Sequence, residues 1–147
     1  VQIISRIING KYPDYKQIIP KNFTLQAILE KESFQRAVKI ASSFSSYSSG
    51  EITLFFQPEE KTCTISSESQ EIGANKTTLP IEMALGTEPL KIIFNPRYVL
   101  EGINALSSEK ILFLANDGST PAALRIQGDK NISTTENYLY IVMPIRK

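Results

Sequence analysis

The sequence contains no histidine, so the commonest general base, proton shuttle and metal ligand is missing. Its single cysteine, Cys63, cannot form an intrachain disulfide, and without histidine it cannot build a zinc site of the usual kind. A chain with no disulfide framework fits a reducing compartment, and a cytoplasmic location is expected. Long apolar runs are missing too. The longest are strand-length, against the roughly 20 residues a membrane-spanning helix needs, so no membrane association is expected. No basic segment followed by an apolar one opens the chain as a secretion leader would. Neither Gly-x-x-x-x-Gly-Lys-Ser/Thr nor Gly-x-Gly-x-x-Gly occurs, and the only paired carboxylates, Glu59 and Glu60, fall in a turn as a solvated tip. No catalytic residues, metal or cofactor are therefore expected. A small enzyme would need Lys, Tyr or Asp side chains gathered in one pocket, and no spacing here gathers them.

What is present describes a binding or structural module. At 147 residues, with 41% hydrophobic and 21% charged residues, the chain can bury one proper core without disulfides or metals. It opens at Val1, inside the apolar alternation "VQIISRII", and so reads as a piece cut from a longer chain. The net charge of +1 is uneven: residues 1–44 hold seven Lys/Arg against three acids, which weakly suggests a polyanion near one face, although from charge alone a solvated surface is the better reading. Three Asn-X-Ser/Thr sequons, at Asn22, Asn75 and Asn131, matter only in a secreted protein. With the high serine and threonine content, they keep a β-rich secreted adhesion or binding module as the alternative.

Periodicity organises the chain. "GKYPDYKQIIPKN" (Gly10 to Asn22) carries a glycine, two prolines and no sustained period, so it reads as a connection following a strand of a preceding unit. Residues 1–22 are thus expected to be the end of one domain and a linker, and residues 23–147 a complete domain. A short strand from Leu25 to Leu29 leads into a helix over "KESFQRAVKIASS", where Phe34, Ala37, Val38 and Ala41 share one face. "EITLFF" and "KTCTIS" alternate at period two across "QPEE", a hairpin signature. A further strand is expected near "IEMAL", with "GANKTTLP" blurring its limits. The plan then repeats: strand "PLKIIF", helix "NPRYVLEGINALSS" capped by Asn95 with Pro96 at its first position, and strands "KILFLAND", "PAALRIQG" and "YLYIVMPI". This duplicated strand–helix–strands unit predicts an α+β fold with two helices packed on largely antiparallel sheets.

The ending "YIVMPIRK" is unusual, because chain ends commonly fray into polar tails. Ile141, Met143 and Ile145 alternate onto one face, and Pro144 removes a backbone donor. Such a strand either closes a core or forms one wall of a half-open apolar groove rimmed by Arg146.

"GKYPDYKQIIP" and "YIVMPIRK", in this order and spacing and with "FNPRYVLEGINAL" between them, resemble segments of the bacterial sliding clamp family, the beta subunit of DNA polymerase III. The resemblance covers the whole chain and implies a DNA-clamp domain: the end of the second clamp domain plus the complete third. It implies a non-catalytic processivity factor whose full-length form is a head-to-tail homodimeric ring that encircles and slides on duplex DNA. Partners implied are replicative polymerase subunits, the clamp loader and repair proteins, each docking through a short peptide with a glutamine and large apolar side chains. Carried over by position, the docking pocket takes Pro13 and Ile18 from the linker, Asn95 and Tyr98 from the second helix, and Ile141, Met143, Pro144, Ile145 and Arg146 from the terminus. Gln17 stands where many clamps have arginine. Lys31, Arg36 and Arg97 are the expected DNA-facing cations. Ile40 and Glu71 are the expected ring contacts, although Lys39 replaces an apolar residue, and Asn75, Lys76 and Thr77 replace much of the acidic run common in the family. A chain without its ring-pairing domain is expected to be monomeric and to hold only part of the pocket.

Overall fold

In β1 (Leu25–Glu30), the first strand among the described residues, alternate residues Leu25, Ala27 and Leu29 are buried, as period two requires for a sheet with one face on a core. The computed structural model describes residues 2–6, 9–10, 14–45, 50–127 and 138–146. Pro13 and Asn131 lie outside the described residues. The chain passes directly from β1 into helix α1 (Lys31–Ser45) because the Glu30 carboxylate caps it, accepting the Glu32 amide at 3.0 Å and the Ser33 amide at 2.7 Å. Phe34, Ala37, Val38 and Ala41 form the buried stripe of α1, as their spacing predicts.

Strands β2 (Ile52–Gln57) and β3 (Thr62–Ser69) form the expected hairpin. Its turn closes with Lys61 at φ +52 and its amide bonded to the Pro58 carbonyl at 3.1 Å. "GANKTTLP", with limits left open by its pattern, is a full strand, β4 (Gly73–Pro80), paired residue by residue with β3. Strands β5 (Glu82–Leu85) and β6 (Leu90–Phe94) follow, then helix α2 (Pro96–Ala105), then β7 (Lys110–Ala115), β8 (Ala122–Ile126) and β9 (Leu139–Val142). Two sheets result, ordered β5-β1-β7-β8-β9 and β4-β3-β2-β6, and every pairing is antiparallel. The described part of "VQIISRII", residues 2–6, pairs with neither sheet, and Ile3 and Ile4 remain 87% and 86% exposed.

The inner faces of both sheets and the buried stripes of both helices share one apolar cluster, centred on Phe56, Phe94 and Phe113. The Phe113 ring stands 4.8 Å from Phe56 and 6.2 Å, edge-on, from Phe94. The helices pack on each other with opposite senses: the Lys31 ammonium at the start of α1 donates to the Leu106 carbonyl at the end of α2, and Gln35 bonds Asn104. Cys63 is fully buried in this core, and burial pushes its thiol pKa upward. No helix among the described residues is long and apolar enough to cross a membrane.

Two exposed carboxyls set a pH expectation. Hydrogen bonds from the Ser33 hydroxyl and then its amide hold Glu30 below its ordinary 4.5, and those from the Ser119 amide and then its hydroxyl hold Asp117 below 3.8. A pKa lowered by folding contributes stability that is present above the unfolded value and lost as pH falls through the folded one. The melting temperature should therefore drop as pH is taken below about 4.5. Glu30→Gln should lower it at pH 7 and flatten the acid-side slope; an unchanged slope would remove Glu30 from the acid response.

Candidate functional site

The candidate docking wall is assembled where the last strand passes the start of α2. Asn95 caps that helix, its Oδ1 accepting the Arg97 amide at 2.9 Å, while Pro96 supplies a fixed φ and lacks the N–H that would be left over. This cap places Tyr98 in the first turn, 51% exposed. Strand β9 pairs with β8, Val142 opposite Ala122, and stops two residues before Pro144. Beyond it the Ile145 amide donates to the Ile93 carbonyl of β6 at 2.8 Å, and the Arg146 guanidinium donates to the Ser119 carbonyl at 3.3 Å. The terminal segment therefore leaves the five-stranded sheet and is tied to the edge strand of the other.

Two anchor points set its direction. Tyr140 lies on Gly102, so near that a Cβ there would meet the ring at 2.5 Å, while Ile145 is bonded to Ile93, two residues before Asn95. The terminal strand thus runs antiparallel to the β6–α2 segment beside it. Burial alternates along it as expected: Val142 and Pro144 are buried, Ile141 and Ile145 are half-buried, and Met143 is 51% exposed. The Ile145 bond brings the Met143–Arg146 segment alongside the end of β6, two residues before Asn95. Burial raises the Tyr140 pKa, with the nearby Glu101 carboxylate adding to the shift.

The linker side is less joined. Ile18, 50% exposed, ends a 3-10 turn (Tyr15–Gln17) in which Asp14 accepts from the Lys16 amide at 3.1 Å and the Gln17 side chain at 3.3 Å. Pro13 falls outside the described residues. A tie unforeseen in the sequence fastens the end of this connection. Asn116, just past β7, accepts the Thr24 amide at 2.8 Å and donates to the Asn22 carbonyl at 3.0 Å. That tie seats Phe23 in a satellite cluster with Leu114 and Ala123, packed by Leu112, Leu139 and Ile141 on the face of the five-stranded sheet away from the main core. Period two in "KILFLA" could have revealed this second apolar face, since Ile111 and Phe113 point one way and Leu112 and Leu114 the other.

The three cations named for DNA differ in their present partners. The Lys31 ammonium is engaged by the Leu106 carbonyl, whereas Arg36 and Arg97 make exposed pairs with Glu32 at 2.7 Å and Glu101 at 3.0 Å. Such exposed pairs contribute little to stability. Helix α1, which carries the exposed Ile40, packs against β4, at the edge of its sheet opposite β6, and the exposed Glu71 stands in the turn leading into that strand. Two concavities lie elsewhere. One, of about 960 Å³, is on the outer face of the four-stranded sheet around Phe55; the other, of about 620 Å³, is where α1 begins and α2 ends. Among the described residues no group of three or more Cys, Asp or Glu could hold a metal ion.

The profile of the C-terminal domain of the DNA polymerase III beta subunit matches residues 16–146. The chain belongs to this family. It is 30% identical over 144 residues to the beta sliding clamp of Synechococcus elongatus, covering 98% of this chain and 36% of that one. It is 32% identical over 119 residues to the beta sliding clamp of Helicobacter pylori, covering 80% and 30%. In structure it is similar to the DNA polymerase III beta subunit of Thermotoga maritima, with a TM-score of 0.83, 25% identity and coverage of 97% of this chain and 36% of that one. It is also similar to the sliding clamp of Bartonella birtlesii bound to griselimycin, with a TM-score of 0.79, 28% identity and coverage of 95% and 35%. The chain thus spans about a third of the length of these clamps. The α+β arrangement of two helices on antiparallel sheets is a clamp-domain fold, and the secreted adhesion alternative is not favoured.

Proposed function

We propose that the chain is the C-terminal part of a replication processivity factor, with residues 1–22 closing the second clamp domain and residues 23–147 forming the third. Its role is to dock short linear peptides of polymerase subunits, the clamp loader and repair proteins, without catalysis of its own. The observation that carries this reading is the antiparallel passage of the terminal segment along the end of β6 and α2, with Met143 and Tyr98 left half-exposed. Met143, unbranched and half-exposed, can shape itself around Leu or Phe anchors of a peptide, with Ile141 and Ile145 on either side. Asn95, which already caps the helix, and nearby backbone groups would fix the peptide's glutamine. By the family's pattern, Ile18 and Pro13 would add to this partial pocket from the linker side.

In the full-length protein this domain would belong to a cytoplasmic homodimeric ring around duplex DNA. Ile40 and Glu71 would lie at its subunit contact, and Lys31, Arg36 and Arg97 would face phosphates through weak, salt-sensitive contacts that permit sliding.

An amide NMR titration of the 147-residue chain tests the docking. The added peptide should carry a glutamine and Leu/Phe anchors and reach millimolar concentration. Shifts should cluster at Tyr15, Ile18, Tyr98 and Ile141 to Arg146 and vanish when the anchors are alanine. Met143→Ala should weaken binding by about tenfold, the loss of an apolar contact at the centre of an interface. Shifts scattered elsewhere, or none, would withdraw the site.

A further inference from the structure

The terminal wall is braced by a turn that no peptide needs to touch. Between β7 and β8 the Asp117 Oδ1 accepts three hydrogen bonds, from the Ser119 amide at 2.7 Å, the Ser119 hydroxyl at 2.8 Å and the Thr120 amide at 2.8 Å. An aspartate bonding the amides ahead of it closes the chain into a tight turn. The carbonyl of that same Ser119 receives the Arg146 guanidinium. Gly118 rests on β6, where an added Cβ would stand 3.1 Å from the Lys91 carbonyl. Two residues along the same strand, the Ile93 carbonyl takes the Ile145 amide. Turn, strand edge and chain terminus therefore meet at one place.

We propose that Asp117 is a positioning residue for peptide docking: by closing the β7–β8 turn it holds Arg146, and through Arg146 the Met143–Arg146 wall, against the edge of β6. The proposal rests on the docking reading above. Its physical basis is the thinness of the attachment past Val142. Pro144 has no N–H to give, so among the described residues the segment is held by the Ile145 amide, by burial of Pro144 and by Arg146. Loss of the Arg146 anchor leaves the wall to be ordered by each arriving peptide, and that ordering weakens binding.

The test uses the 147-residue chain, the same anchor-bearing peptide, and hydrogen exchange at the Ile145 amide. Asp117→Ala should weaken peptide binding about fivefold, the effect of losing one hydrogen-bonded anchor, and should speed Ile145 exchange. Asp117→Asn keeps an oxygen that can accept the same bonds and should stay within about twofold of wild type. Arg146→Ala, which also removes a wall residue, should weaken binding at least as much as Asp117→Ala, and in its background Asp117→Ala should add nothing, since Asp117 acts through that contact. Gly118→Ala, which crowds the Lys91 carbonyl without touching the carboxylate, should shift affinity in the same direction if Asp117→Ala fails to fold. Full additivity with Arg146→Ala would overturn the proposal, as would wild-type affinity in Asp117→Ala despite faster Ile145 exchange. A wild-type chain that takes no peptide would instead remove the docking reading, and the proposal with it.

Discussion

Replacing Phe113 with alanine should cost about 3–5 kcal/mol of stability, the range for emptying an aromatic site in a packed core. Phe113 is fully buried in β7 and meets Phe56 and Phe94, which belong to the other sheet. It is thus one of the side chains through which the two sheets touch. Backbone ladders hold each sheet separately and cannot close the space left between them. Because domains of this kind are stable by only about 5–15 kcal/mol, the loss would take a large part of the total. Urea unfolding should show a lower midpoint with an unchanged slope, the sign that stability and not the extent of unfolding has changed. A loss below about 1 kcal/mol would mean that the site collapses around the deletion and that the sheets are joined chiefly elsewhere.

Gly102→Ala should also destabilise, by about 1–3 kcal/mol, although alanine is the better helix former by about 1 kcal/mol. The reason lies outside the helix. A Cβ at this position would stand 2.5 Å from Tyr140 Cδ1 and 2.8 Å from Leu124 Cδ1, closer than real Cβ contacts come. Either α2 must lift from β8 and β9, or the Tyr140 ring must leave its seat and carry the terminal strand with it. A glycine inside a helix, disfavoured locally, is therefore the close-approach point that lets the terminal strand lie along α2. Thermal and urea unfolding measure the cost, and repeating the substitution with Tyr140→Ala should recover part of it because the methyl then has room. A stabilised Gly102→Ala would show that the ring moves freely, and that Tyr140 does not fix the strand's path.

The sequence exposed most of the elements because their signals are local. Phe34, Ala37, Val38 and Ala41 repeat at helical spacing and occupy the buried face of α1; Asn95 and Pro96 mark a helix start and form one. The hairpin of β2 and β3 follows from alternation about a turn. β4 is different. "GANKTTLP" has little apolar alternation because the strand is held mainly by backbone bonds to β3, and backbone bonds leave no trace in residue type. "VQIISRII" is the converse: it alternates like a strand, residues 2–6 find no ladder among the described residues, and alternation alone cannot supply one.

The candidate site divides along the same line. The terminal alternation of Ile141, Met143 and Ile145 and the break at Pro144 were legible, since both are properties of the chain itself. Family membership could also be anticipated, because motifs keep their order in the sequence. The path of the terminal segment could not. That Ile145 bonds Ile93, that Tyr140 rests on Gly102 and that Arg146 reaches Ser119 are pairings between residues 27 to 52 positions apart. Most elements, the core faces and the family can be read from residue order; which distant backbone groups meet cannot, because a hydrogen bond's partner is chosen by the whole packing of two sheets and two helices and not by the residues that make it.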